Sequence, residues 1–198
     1  MNKILFFILL MLIVITSCSR EMRLSASDYE WMPYKGNETL IFTSNKGDVD
    51  SVFFLKKDTL WGFPDAQSIF APQCEGVRIF CRHTDSVIQD KSIRYLENDF
   101  CSIQKSKNGH TVLKVNLLTK DAVFYRLGPI NLDSLNKVKP IVLETKKNRY
   151  KDVYEINGED YTGYFRDRYD FVTKIYWSKS KGLIRFDKEK NAYWELTN

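Results

Sequence analysis

The chain has 198 residues, a formal net charge of +5, 43% hydrophobic residues and four cysteines. That is enough apolar chain for a sizeable core without disulfide staples. The basic and acidic residues are interspersed and nearly balanced, which excludes a nucleic-acid partner and leaves a solvated surface as their reading.

Residues 1–17 read as a lipoprotein signal peptide that ends at Cys18. Lys3 supplies a positive start, and Ile4 to Ile15 is an uncharged run of twelve residues without Gly or Pro. A signal-peptide core is about 7–15 residues long, whereas a membrane-spanning helix needs about 20. The four residues Ile15-Thr16-Ser17-Cys18 close that run and resemble the lipobox of bacterial lipoproteins. The resemblance implies cleavage between Ser17 and Cys18, a diacylglycerol thioether on Cys18 Sγ and acylation, for instance by palmitate, of the new amine. Two acyl chains anchor stably where one binds only marginally. Residue 19 is Ser, not Asp, and Arg20-Glu21-Met22-Arg23 lacks an acidic cluster. By the sorting rules of such lipoproteins, these features place the protein on the outer membrane facing the periplasm, with the cell surface as the alternative.

Residues 18–33 read as a lipidated tether, polar from Arg20 to Glu30 and closed by Pro33. From there to residue 198 the pattern is that of one β-rich domain. Thr39–Thr43 and Ser51–Leu55 flank Asn45-Lys46-Gly47-Asp48 and predict a hairpin with Gly47 at φ > 0. Leu60–Phe63, Val77–Arg82, Ser92–Leu96, Phe100–Lys105, Thr111–Leu117 and Ala122–Leu127 follow as strands, with a hairpin turn at Asn108-Gly109. Gly128-Pro129 interrupts them. Asn131 to Asn136 predicts one helical turn capped by Asn131. Strands resume at Ile141–Thr145, Val153–Ile156, Val172–Trp177, Leu183–Phe186 and Tyr193–Leu196, with turns at Asn157-Gly158 and Lys181-Gly182. The expected fold is all-β and mainly antiparallel: a curved sheet, open barrel or sandwich with at most one or two short helices.

Two stretches, Trp31 to Asp48 and Lys174 to Phe186 with the closing Tyr193-Trp194-Glu195-Leu196, resemble uncharacterised small outer-membrane lipoproteins of Bacteroidota. Together they cover under a quarter of the chain. That resemblance implies an address and a β-rich fold, and no activity.

The search for chemistry yields little. Ser178-Lys179-Ser180-Lys181 matches Ser-x-x-Lys, but the catalytic version needs the Ser to open a helix, and here the four residues enter a turn before Gly182. The two histidines, His83 and His110, have no ligand-spaced neighbours, so no metal or cofactor is expected. Asp48/Asp50 and Glu159/Asp160 read as turn chemistry. Cys74, Cys81 and Cys101 read as buried thiols, with a Cys74–Cys81 bridge as the alternative in an oxidising compartment. No catalytic constellation is found. A dense aromatic and basic stretch supplies the candidate binding surface: Tyr161, Tyr164, Phe165, Arg166, Arg168 and Tyr169. The expectation is a membrane-anchored, non-catalytic binding or structural module of the cell envelope. The alternatives are a carrier of lipid or another hydrophobic ligand on a curved sheet, and an envelope enzyme acting on glycan or peptide.

Overall fold

Alternating apolar residues dominate the chain from Thr39 onward, and in a computed structural model they become strands of one continuous sheet. The structure describes residues 20–63, 71–83, 98–117, 119, 122–160, 163–164 and 168–198. In chain order the strands are β1 (Glu21–Met22), β2 (Thr39–Ser44), β3 (Val49–Gly62), β4 (Gln73–His83), β5 (Asn98–Lys105), β6 (Thr111–Val115) and β7 (Ile130–Asn131). They continue as β8 (Ile141–Glu144), β9 (Arg149–Asn157), β10 (Val172–Ser178), β11 (Gly182–Lys188) and β12 (Tyr193–Leu196). Two one-turn helices, α1 (Ala26–Tyr29) and α2 (Leu132–Leu135), complete the set.

The main path of eleven strands runs β7-β6-β5-β4-β3-β2-β12-β11-β10-β9-β8 and is antiparallel throughout. β1 joins outside this path, parallel to β4. The sheet curls into an open half-barrel, as the fold class expected from the sequence allows. Irregular registers between Phe54 and Lys56, Ile79 and Phe80, and Tyr176 and Trp177 increase local twist and bend the strands toward one face. That inner face carries Leu40 and Phe42 of β2, Val52 and Phe54 of β3, Ile79 and Cys81 of β4, Cys101 and Ile103 of β5, and Ile175 and Trp177 of β10, all buried. They form one core cluster with residues from both ends of the chain.

The turns behave as their residues dictate. Gly47, Gly109 and Gly182 all have φ > 0, at three of the four turns that the sequence marks; at the fourth, Asn157-Gly158, the chain makes no turn, and the Gly158 N–H donates to the Thr173 carbonyl at 2.8 Å alongside β10. Asn131 accepts from the Ser134 N–H at 3.1 Å and caps α2.

Four expectations change. Leu60–Phe63 is not a separate strand: Lys56 to Trp61 all pair with β4, so β3 continues through its polar middle to Gly62. Ala122–Leu127 is not a strand of the sheet. It makes only the bridges Thr119–Ala122 and Val123–Phe171. Cys74 and Cys81 occupy one strand, seven residues apart or about 23 Å at 3.3 Å per residue, beyond the reach of a disulfide. All three described cysteines are free and buried. Finally, the segment expected as a tether is not one: its described part, residues 20–33, is built into the fold, with Leu24, Asp28, Trp31 and Met32 buried. Its polar residues look solvated in sequence because their partners lie on distant strands. The strand expected at Ser92–Leu96 lies outside the described residues.

Candidate functional site

A half-barrel of one sheet exposes a concave apolar face unless something fills it. Here residues 20–38, the strap, do so. Gln73 N–H donates to the Arg20 carbonyl at 3.0 Å where β1 begins. The Glu75 carboxylate then takes the Leu24 N–H and the Tyr29 hydroxyl, both at 2.8 Å. Ser25 and Asp28 form a reciprocal capping box around α1, and Lys105 Nζ reaches Asp28 at 2.9 Å. Burial pushes the Asp28 carboxyl up. The Thr111 hydroxyl, Lys105 and Ser25 around it outweigh that and hold it below the usual carboxylate range.

Beyond α1 the strap crosses the interior. Trp31 packs on Tyr154 with ring centroids 4.7 Å apart, and Lys179 Nζ sits 4.8 Å over its ring. Met32 accepts from the Cys101 thiol at 3.6 Å. Lys57 Nζ donates to the Met32 and Tyr34 carbonyls at 3.1 and 3.0 Å. Tyr34 then spans the curl. Its ring meets Phe54, Phe100 and Trp177 edge-on, and its hydroxyl accepts the Leu183 N–H at 2.7 Å. Burial raises the Tyr34 phenol well above its usual range, so the hydroxyl stays protonated.

Two glycines make this crossing sterically allowed. A Cβ on Gly36 would collide with the Lys57 backbone, and one on Gly182 would collide with the Tyr34 hydroxyl and ring; both residues also have φ > 0. Glu38 secures the exit, accepting the N–H groups of Lys35, Gly36 and Asn37 at 2.6, 2.7 and 2.8 Å. Burial pushes the Glu38 carboxyl up, but these donors win and lower it. Leu24, Trp31, Met32 and Tyr34 of the strap are thus buried in one core cluster with the inner face of the sheet.

An open cleft of about 580 Å³ lies at the opposite end of β3, lined by Lys46, Arg168, Tyr169, Lys188, Glu189, Lys190 and Ala192. Three connections build it. In the β2–β3 turn, Ser44 Oγ accepts the Lys46 and Asp48 N–H groups at 3.2 and 3.0 Å, fixing the turn that presents Lys46. The β11–β12 turn places Lys190 and Asn191 in the left-handed region, φ 59° and 58°. Asn45 ties the two turns together: its Nδ2 donates to the Asn191 carbonyl at 3.0 Å, and its backbone N–H donates to the Tyr193 carbonyl at 3.0 Å. The β9–β10 connection contributes Arg168 and Tyr169. Arg168 Nε and Nη2 donate to the buried Asp170 at 2.8 and 2.6 Å, and that pairing holds the Asp170 carboxyl low.

Behind the cleft, on the outer face, Arg185 braces β11. Its guanidinium lies 3.9 Å from the Tyr193 ring centroid and 5.4 Å from that of Tyr176, and Nε reaches Asp187 at 2.6 Å. Burial first, then the Asp187 charge, push the Tyr176 phenol up to about 12. This brace leads directly into Lys188. Sequence reading missed it, because its members lie on three strands and only their register makes them neighbours.

Among the described residues that line the cleft, Lys46, Lys188 and Lys190 stand against one carboxylate, Glu189, with Arg168 held by Asp170, so the field of these residues favours an anion. Tyr169 is 75% exposed and Lys188 Nζ is 5.9 Å from its ring centroid, which leaves an aromatic face for stacking beside positive charge.

Of the candidate surface residues, Arg168 and Tyr169 enter this cleft, and Tyr164 is exposed without lining it. Tyr161, Phe165 and Arg166 lie outside the described residues, as do Ser17 and Cys18. Lys46, Lys188 and Lys190 were not singled out in sequence; two are ordinary turn lysines and Lys188 ends β11, and they converge only when the turns meet.

The remaining candidates for chemistry are accounted for individually. Ser178 is buried, donates to Asp152 at 2.9 Å and accepts the Lys181 N–H at 3.1 Å, so Ser-x-x-Lys forms a turn. His83 Nε2 and Asp50 Oδ1 are 2.6 Å apart in the core, and His110 Nδ1 is 2.6 Å from Asp133 at the surface. Burial pushes the Cys81 thiol up to about 12 and Cys101 well above the thiol range, so neither is a thiolate at neutral pH. Among the described residues no group of three His, Cys, Asp or Glu side chains has the arrangement to hold a metal ion.

No family model matches this chain, and neither the curated proteins nor the solved structures compared with it gave a significant match.

Proposed function

We propose that this protein is a lipid-anchored, non-catalytic binding module of the bacterial envelope, tethered through Cys18 and presenting the cleft around Tyr169 to an anionic partner. The observation that carries the reading is the occupied interior. A sheet whose concave face is filled by its own strap recognises partners with its surface, and the cleft is where charge and an exposed ring converge. The anchor rests on the lipobox-like Ile15-Thr16-Ser17-Cys18 after an apolar run too short to span a bilayer. An acidic glycan suits the cleft, since lysines meet its charge and Tyr169 meets a sugar face.

Two experiments test the two halves. Radiolabelled palmitate fed to cells marks the native chain and not Cys18→Ala; equal labelling of both overturns the anchor. A sulfated polysaccharide titrated onto the protein binds with salt-sensitive affinity, whereas neutral dextran does not; binding of neither, or of both alike, overturns the cleft.

A further inference from the structure

The anchor and the fold are almost contiguous. Only Ser19 and Arg20 separate Cys18 from β1, which starts at Glu21. Four residues of extended chain, Cys18 to Met22, reach at most about 14 Å. Met22 pairs with Cys74, and Cys74 pairs on its other side with Gly62, so Met22, Cys74 and Gly62 form one row across three strands. At about 4.8 Å between strands, Gly62 lies about 10 Å from Met22. An acyl group on Cys18 is therefore held within about 25 Å of the end of β3.

That end is unusual in composition. The middle of β3, Lys56-Lys57-Asp58-Thr59, is polar and exposed. Its tip turns apolar where it meets the anchor side: Trp61 is 38% exposed and Phe63 54%. Arg23 lies 5.4 Å over the Trp61 ring and pairs with Glu21 at 2.7 Å, and Arg20, at the entry to β1, is exposed. Exposed indole and phenyl rings flanked by arginine match the composition of the headgroup layer of a bilayer, where aromatic rings settle and guanidinium groups meet phosphate.

We propose that the anchor-side end of the sheet is a membrane-contacting rim, in which Trp61 and Phe63 seat in the lipid headgroup layer with Arg20 and Arg23 against the phosphates. This inference rests on lipidation of Cys18, which sets the distance of that end from the bilayer. It adds an orientation. A flexible tether would let the domain tumble, whereas a two-residue leash and an aromatic rim fix β3 pointing away from the membrane. The Tyr169 cleft, at the start of β3, then faces outward. Thirteen intervals at 3.3 Å place the two ends of β3 about 40 Å apart.

The test uses the mature chain purified from membranes and reconstituted into vesicles of phosphatidylethanolamine and phosphatidylglycerol, with and without lipids brominated near the top of the acyl chains. Trp31, Trp177 and Trp194 are buried, so Trp61 supplies the quenchable emission. With rings seated about 5–10 Å into the headgroup boundary, that emission drops about twofold or more in brominated vesicles. Trp61→Phe removes the quenching and leaves flotation with vesicles intact. Protein that floats but shows no difference in quenching between the native chain and Trp61→Phe overturns the rim and spares the anchor. Protein that carries no lipid on Cys18 and does not float overturns both.

Discussion

The strap and the distal cleft are built from similar materials, aromatic rings beside lysine and arginine, and they do opposite things. In the strap, Trp31 and Tyr34 are sealed inside the curled sheet, and Lys57 and Lys105 spend their donors on a carbonyl pair and on Asp28. In the cleft, Tyr169 stands in solvent and Lys46 and Lys190 are exposed on turns. What separates them is where the backbone puts them. The strap lies across the inner face, so every polar group must find an internal partner or carry a desolvation penalty. The cleft lies on three turns at the opposite end of β3, where water satisfies the groups until a ligand displaces it.

The largest effect to expect is in the strap. Trp31→Ala leaves a cavity against Tyr154 and costs about 3–5 kcal/mol, read by urea denaturation of the mature chain. A loss under about 0.5 kcal/mol, the level of a surface substitution, would mean that the strap is an ornament on the sheet.

Next is Tyr34→Phe, which keeps the ring contacts and strands the Leu183 N–H in the core; about 1–3 kcal/mol follows from one buried unsatisfied donor. A neutral result would show that Tyr34 acts through packing alone.

Acid should loosen the strap. The Asp28 and Glu38 carboxyls are held below their ordinary 3.8 and 4.5 in the folded chain. Groups depressed in this way contribute stability that is fully present above those ordinary values. It is lost as pH falls from those values through the lower folded ones, because over that window the unfolded chain binds protons that the folded chain still excludes. Denaturant midpoints measured from pH 6 to pH 3 should fall, and Asp28→Asn should lie lower at pH 6 and show a shallower slope. Parallel slopes for the two proteins would contradict the assignment.

The smallest effect on stability belongs to the cleft. Lys46→Gln with Lys190→Gln should leave unfolding within about 0.5 kcal/mol of the native chain. The same pair should weaken binding of a sulfated polysaccharide and flatten its salt dependence. Stability loss of the size seen in the strap would erase the distinction between the two regions.

Much of the fold was legible because its signals are local. Alternation in Thr39–Ser44 and Thr111–Val115, glycine at 47, 109 and 182, and the Asn131 cap each depend on a few neighbouring residues. The extension of β3 through Lys56-Lys57-Asp58-Thr59 was not legible, since polar residues read as loop unless the partner strand is known. The strap was misread for the same reason. Ser25, Asp28 and Glu30 look like solvated tether, yet the contacts that order this segment come from Glu75, Lys105 and Lys179, about 50 to 150 positions away. At the cleft, Arg168 and Tyr169 were found by their density in sequence. Lys46 and Lys190 were not, because they approach only when the first hairpin meets the last.

By itself, then, the sequence determined most of the strand pattern, the glycine hairpin turns and the lipobox-like motif ending at Cys18. Each is a matter of side-chain period, backbone φ or a short motif, and needs no knowledge of distant residues. Only the tertiary structure decided that residues 20–38 fill the half-barrel, that Gly36 and Gly182 exist to admit that crossing, and that three turns converge on one cationic cleft. Those outcomes depend on strand register and curl, and a pairing shifted by one residue would turn every inward side chain outward.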